Sequence, residues 1–190
     1  MTTKTPTEAS AETFRLGHRK QTGLWKRFRE FLQDHPTPLV WAWKLAAFLL
    51  GRMGGGFERM GVERSSRLVK PFEEVVKRPI FDCRMCGQCI LHSTGMTCPM
   101  TCPKQLRNGP CGGVRANGTC EVFPDAACVW VKAIERSVGT VYSDEIGRLN
   151  PPVDWQLHGT ASWVTFAIGR DQVVSGSGSG RLHASEVISS

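Results

Sequence analysis

The chain has 190 residues, 41% hydrophobic and 22% charged, with a formal net charge of +7 and eight cysteines. That length holds one or two domains of ordinary composition and excludes a flavin- or nicotinamide-binding barrel of roughly 250 residues beside a cysteine-rich region. Residues 1–80 carry fifteen Lys/Arg against eight Asp/Glu, and residues 81–190 carry nine against nine. The basicity is therefore N-terminal and reads first as a solvated or docking face; no aromatic-interleaved basic ribbon accompanies it, so nucleic acid is not expected as a partner.

Residues 1–22 are polar and predict a disordered tail. The stretch Met1–Ala11 lacks the basic start and apolar run of a secretory signal, so the protein is expected in the cytoplasm, where thiols stay reduced. From Leu24 the pattern turns helical: Leu24, Phe28, Phe31 and Leu32 share a face, with Lys26, Arg27, Arg29 and Glu30 among them, up to Pro36. Between Leu39 and Leu50 eleven of twelve residues are apolar, broken only by Lys44. This run is too short for a bilayer span of about 20 residues. Its readings, in order, are a buried core helix, a docking helix, and an interfacial helix with Trp41 and Trp43 at lipid headgroups beside Lys44, Arg52 and Arg59, which would give peripheral membrane contact through residues 24–59. Gly54-Gly55-Gly56 is expected to break the helix, which resumes over 62–78 before Pro79.

Residues 23–70 thus form a helical, basic segment, residues 71–172 a cysteine-rich domain, and residues 173–190 a flexible Ser/Gly tail. Within the cysteine-rich domain a short helix is predicted over Val129–Val138, with Trp130, Ala133 and Ile134 on one side. The density of glycine and proline leaves little room for long elements. The predicted fold is α+β: a small, irregular, metal-organised domain with few strands, preceded by amphipathic helices.

The cysteines run Cys83-x2-Cys86-x2-Cys89-x8-Cys98-x3-Cys102-x8-Cys111-x8-Cys120-x7-Cys128. Eight reduced thiols within 46 residues read as metal ligands, and they divide without remainder into two sets of four. The opening triple run is like the start of a bacterial ferredoxin motif, where three close cysteines and one remote one hold a [4Fe–4S] cube. The remote ligand here is Cys98 or Cys102, each followed by proline. One or two [4Fe–4S] clusters are expected. Zinc is the alternative, since four thiolates also satisfy Zn²⁺, although zinc ribbons favour paired C-x2-C knuckles. His92 reads as an exposed polar residue, because cysteines already suffice in number. Lys104 and Arg107 are placed either to offset the negative charge of a thiolate-ligated cluster or to lie on the surface.

The stretch Cys83-Arg84-Met85-Cys86-Gly87-Gln88-Cys89, followed by Thr94-Gly95-Met96-Thr97-Cys98-Pro99-Met100-Thr101-Cys102-Pro103-Lys104 and by Leu106-Arg107-Asn108-Gly109-Pro110-Cys111-Gly112-Gly113, resembles the domain named after the methylenetetrahydrofolate reductase C terminus. The likeness continues through Gly118-Thr119-Cys120-Glu121-Val122 and Cys128-Val129-Trp130, and more loosely through Asn150–Trp155 and Ser162-Trp163, over roughly residues 72–172. In acetogenic bacteria such proteins are the small iron–sulfur subunit of a flavin-containing methylenetetrahydrofolate reductase. The resemblance implies an accessory subunit of one-carbon metabolism, not catalytic alone, whose eight cysteines hold clusters that pass electrons to or from a flavin on a separate catalytic subunit. The alternative is a zinc- or cluster-stabilised structural or assembly protein with no redox role. An autonomous enzyme is the weakest reading, since no Ser/His/Asp set, carboxylate pair or flavin loop can be picked out.

Overall fold

The computed structural model describes residues 23–171, so the expected tails 1–22 and 173–190 lie outside the described residues. Three helices come first: α1 (Leu24–Asp34), α2 (Pro36–Met60) and α3 (Val62–Phe81). The first reversal of the chain is dictated by proline. His35 precedes Pro36 and is driven out of the helical region (φ −116°, ψ 71°), while Pro36 occupies the first position of α2, where its missing N–H costs nothing.

The expected break at Gly54-Gly55-Gly56 is not there: α2 runs through all three glycines. Each glycine in a helix interior costs about 1 kcal/mol relative to alanine, and burial of Val40, Trp43, Ala47 and Phe57 along one face of α2 offsets it. Gly54 has a packing role as well. A Cβ at that position would lie 2.6 Å from the Ala167 carbonyl oxygen, so only glycine lets α2 cross that close to the helix Ser162–Ala167. The helix α3 likewise continues past the expected stop at Pro79 and also contains Pro71. It ends at Asp82, which adopts a left-handed conformation (φ 52°) with its N–H donated to Arg78 O at 3.0 Å.

The α+β expectation is overturned. Among the described residues there is no sheet, only the isolated antiparallel bridges Val114–Cys120 and Thr119–Ala127. The cysteine-rich region consists of turns, the short 3-10 segments His92–Thr94 and Pro99–Thr101, the helix α4 (Val129–Ser137), further 3-10 segments at Ser143–Gly147 and Trp155–Leu157, and the helix α5 (Ser162–Ala167). Left-handed residues at Met85, Gly87, Gly95, Met96 and Gln105 interrupt extended backbone too often for a ladder to grow. Side-chain packing replaces the ladder. Every residue from Met85 to Met100 is buried, and Val40, Trp43 and Ala47 of α2 share one core with Cys86, Cys89, Leu91, Cys98 and Phe166. Of the three residues expected on one side of α4, Trp130 and Ala133 are buried, whereas Ile134 is exposed.

The outer side of α2 is apolar too. Trp41, Leu45, Phe48, Leu49 and Met53 are exposed at helical spacing, with the Arg52 guanidinium 5.5 Å from the Phe48 ring centroid. Among the described residues no helix is long and apolar enough to cross a membrane.

Candidate metal centre

The eight cysteines separate into two groups. Cys83, Cys86, Cys89 and Cys98 line one hollow, together with Met85, Ile90, Leu91, Pro99, Met100 and Ser162. Cys102, Cys111, Cys120 and Cys128 line another, with Pro103, Leu106, Val114, Phe123 and Trp130. The turn Pro99–Thr101 divides them: Cys98 precedes it and Cys102 follows it, its N–H bonded to Pro99 O at 3.0 Å. None of the eight is in a disulfide.

The first hollow is built by the loop after α3. Met85 N–H points back at Cys83 Sγ (3.4 Å), and the Cys86 thiol reaches Gln88 O (3.6 Å). Between them Gly87 has φ 76°, and a Cβ there would sit 2.3 Å from Leu157 O, so the loop is pressed against the Trp155–Leu157 segment with no room for a side chain. Gln88 is buried beneath it and accepts the Asp154 N–H at 2.7 Å through Oε1. Thr165 of α5 donates its hydroxyl to Gly87 O.

This site is dry. Burial pushes the Cys83 thiol up to about 12, with Cys89 adding to the effect and the Met85 N–H opposing it. Burial also raises Cys86, and it carries Cys98 well above its ordinary value, with Cys83, Cys86 and Cys89 adding repulsion. Burial thus holds Cys83, Cys86 and Cys98 in the thiol form, and a metal entering among them would supply the positive charge that displaces their protons.

Two buried cations stand beside them. Lys77 of α3 donates from Nζ to Glu73 Oε1 (2.7 Å) and to Ser162 Oγ (2.8 Å); Ser162 in turn donates to Glu73 Oε1. Its ammonium lies 5.5 Å from the Trp43 ring centroid and 5.3 Å from that of Trp163. Burial opposes its charge, yet Cys89 and Glu73 together hold Lys77 above its ordinary range. Arg107 donates from Nη1 to Gln88 O (2.7 Å) and from Nε to Pro151 O (2.9 Å); burial lowers it from its ordinary value, and Cys86, Cys89, Asp171 and Cys98 oppose that. Sequence reasoning singles out Arg107 and misses Lys77. The signal for Lys77 is its i, i+4 spacing from Glu73 on the face that α3 buries, which spacing alone does not separate from a solvated pair.

At the second hollow Cys111 and Cys120 are half-buried and Cys102 and Cys128 buried. Lys104 is exposed there and pairs with Glu121, and this bond, with Cys111 and Cys120 nearby, raises it. Trp130 closes the inner side, its Nε1–H donated to Leu106 O at 3.3 Å.

His92 is not the exposed residue expected. It is buried, stacked on Trp43 (5.5 Å, 11°) and edge-on to Tyr142 (5.5 Å). It lines neither hollow. Its Nε2 lies 3.3 Å from Glu145 Oε2, but burial outweighs that carboxylate and lowers His92 to about 4, so the imidazole is neutral at pH 7.

Each four-thiol set suits a thiolate-bound inorganic centre: soft sulfur donors, an apolar enclosure, and, at the first site, a buried donor of Arg107, Nη2, that has no hydrogen-bond partner among the described protein groups. Among the described residues no three His, Cys, Asp or Glu side chains close to the arrangement that holds one metal ion, so the thiols share a hollow without meeting at one point.

The profile of the family described as "Methylene-tetrahydrofolate reductase C terminal" matches residues 62–156, half of the chain. The match begins with α3 and takes in both sets of cysteines, Lys77 and Arg107. No curated protein and no solved structure matches the chain.

Proposed function

Because the chain belongs to the methylenetetrahydrofolate reductase C-terminal family, we propose that it is an iron–sulfur accessory subunit of such a reductase, passing electrons to or from a flavin on a separate catalytic subunit. The observation that carries this reading is the division of eight thiols into two hollows of four. A [4Fe–4S] cluster held by four cysteines supplies reversible one-electron chemistry. Cys83, Cys86, Cys89 and Cys98 would hold one, and Cys102, Cys111, Cys120 and Cys128 the other. Two sets joined by a single turn suit a relay. Cys98 and Cys102 are four residues apart, so their Cα atoms are separated by at most about 14 Å.

The protein's own groups divide the labour. Met85 N–H, Lys77 and Arg107 place donors and positive charge at the buried set. The half-buried Cys111 and Cys120 bring the other set to the surface, where a redox partner can approach. The outer face of α2, with Trp41, Leu45 and Phe48 exposed, offers aromatic and aliphatic anchors of the kind that dominate interfaces, and it is the proposed seat of the catalytic subunit.

Co-expression with a flavin-containing methylenetetrahydrofolate reductase catalytic subunit tests the proposal. The two chains are expected to co-purify, and a low-potential donor is expected to reduce the bound flavin faster with the small chain than without it. A monomer that binds no flavoprotein, beside a reductase equally active alone, would refute it.

A further inference from the structure

The two buried cations at the first hollow are not equivalent. Lys77 has its counter-ion, since Glu73 is in contact with it and Ser162 completes the network. Arg107 is 4% exposed; its Nε and Nη1 bond only to the neutral carbonyls of Pro151 and Gln88, and the groups that favour its charge are Cys86, Cys89, the buried Asp171 and Cys98. Its Nη2 is buried with no hydrogen-bond partner among the described residues. The Gln88 carbonyl that holds it is the one the Cys86 thiol reaches, so the guanidinium is fixed against the loop that carries Cys86 and Cys89. A guanidinium does not escape burial by losing its proton, and a buried donor left unmatched is costly. Asp171 acts on its charge, yet no acceptor meets Nη2, and negative charge in the hollow beside it would supply that partner. At the second hollow the lining cation is the exposed Lys104, already paired with Glu121.

We propose that Arg107 is the counter-charge of the centre held by Cys83, Cys86, Cys89 and Cys98, and that it raises the reduction potential of that centre while leaving the second centre unaffected. This rests on the iron–sulfur reading above. The sign follows from charge: a thiolate-ligated cluster becomes more negative on reduction, a dry site disfavours that change, and a fixed positive charge with a free donor opposes the penalty. Arg107 is thus a positioning and tuning residue that bonds to the ligand loop.

The test uses the full chain purified without oxygen, with iron and sulfide content measured and a redox titration followed by electron paramagnetic resonance. The transition missing from Cys86→Ser belongs to the first centre. Arg107→Gln is expected to move that transition to more negative potential and leave the other in place, and Arg107→Lys, which keeps the charge, is expected to shift it less. Iron lost from the first centre in Arg107→Gln and regained in Arg107→Lys would support the same role. Unchanged midpoints, equal shifts of both transitions, or equal loss of iron in both variants would overturn the proposal. Zinc without iron in the wild type would overturn the iron–sulfur reading instead; there the counter-charge predicts less zinc in Arg107→Gln than in Arg107→Lys, and equal zinc would overturn it too.

Discussion

Arg136 in α4 donates from Nε (2.8 Å) and Nη2 (2.6 Å) to the same oxygen of Asp34, 102 residues earlier at the end of α1. From Nη1 it also reaches Gln33 Oε1 (2.9 Å) and Thr97 Oγ1 (3.2 Å), so one guanidinium ties the N-terminal helices to the cysteine-rich region. Asp34 is 57% exposed and Arg136 only 7%. Their removal therefore has unequal effects. Asp34→Ala should cost about 1 kcal/mol, because solvent screens the lost pair, and Arg136→Met roughly 3 kcal/mol, because it strips partners from three side chains at once. Chemical denaturation of the two variants checks the order, and equal losses would count against a buried hub.

The two-hollow arrangement makes cysteine substitutions separable. Cys86→Ser should remove the first centre and leave the second, and Cys111→Ser should do the reverse, because serine oxygen is a poor ligand for a soft metal. Each variant should retain about half the metal, since each centre takes four cysteines. Loss of all metal from either would mean that the eight thiols act as one site.

His92→Ala should leave metal content unchanged and cost about 2–3 kcal/mol, since it removes the ring packed between Trp43 and Tyr142. The same burial gives a pH dependence. His92 is held near 4 when folded, below its ordinary 6.5; the unfolded chain therefore binds the proton first as pH falls, and stability is lost between about 6.5 and 4. The histidine accounts for about 3 kcal/mol over that window. The Glu145 carboxyl is raised by burial, with Arg148 opposing, and contributes in the opposite sense. Denaturation curves across this range should be flatter for His92→Phe than for the wild type; identical slopes would contradict a neutral, buried imidazole.

The exposed face of α2 gives a binding prediction. Phe48→Glu and Trp41→Glu should abolish co-purification with the catalytic subunit while leaving metal content and stability near wild type. Trp43 stands beside these anchors in sequence, but it is buried against His92 and Phe166, so Trp43→Ala should unfold the protein before it affects docking. A complex that survives both glutamates, with binding to anionic vesicles lost instead, would reassign the face to a membrane surface.

The sequence is legible where local chemistry decides. The start of α1, the Pro36 boundary, the extent of α4 and the set of cysteines all follow from residues within a few positions of each other. What is not legible depends on distant packing. The spacing leaves the fourth partner of the triple run open between Cys98 and Cys102, and the turn Pro99–Thr101 separates them. Gly54 looks like a helix breaker until the Ala167 backbone is seen across from it. His92 looks exposed among polar neighbours until Trp43 is placed on its ring. The expected strands fail because glycine and proline signal irregular backbone, which here wraps two hollows without forming a ladder.

The most direct test is measurement of iron, acid-labile sulfide and zinc in the full chain purified without oxygen. Two [4Fe–4S] centres require about eight irons and eight sulfides per chain, with visible absorption that bleaches on reduction. One or two zinc ions per chain without iron, sulfide or visible absorption would contradict the account and leave a metal-stabilised scaffold in its place.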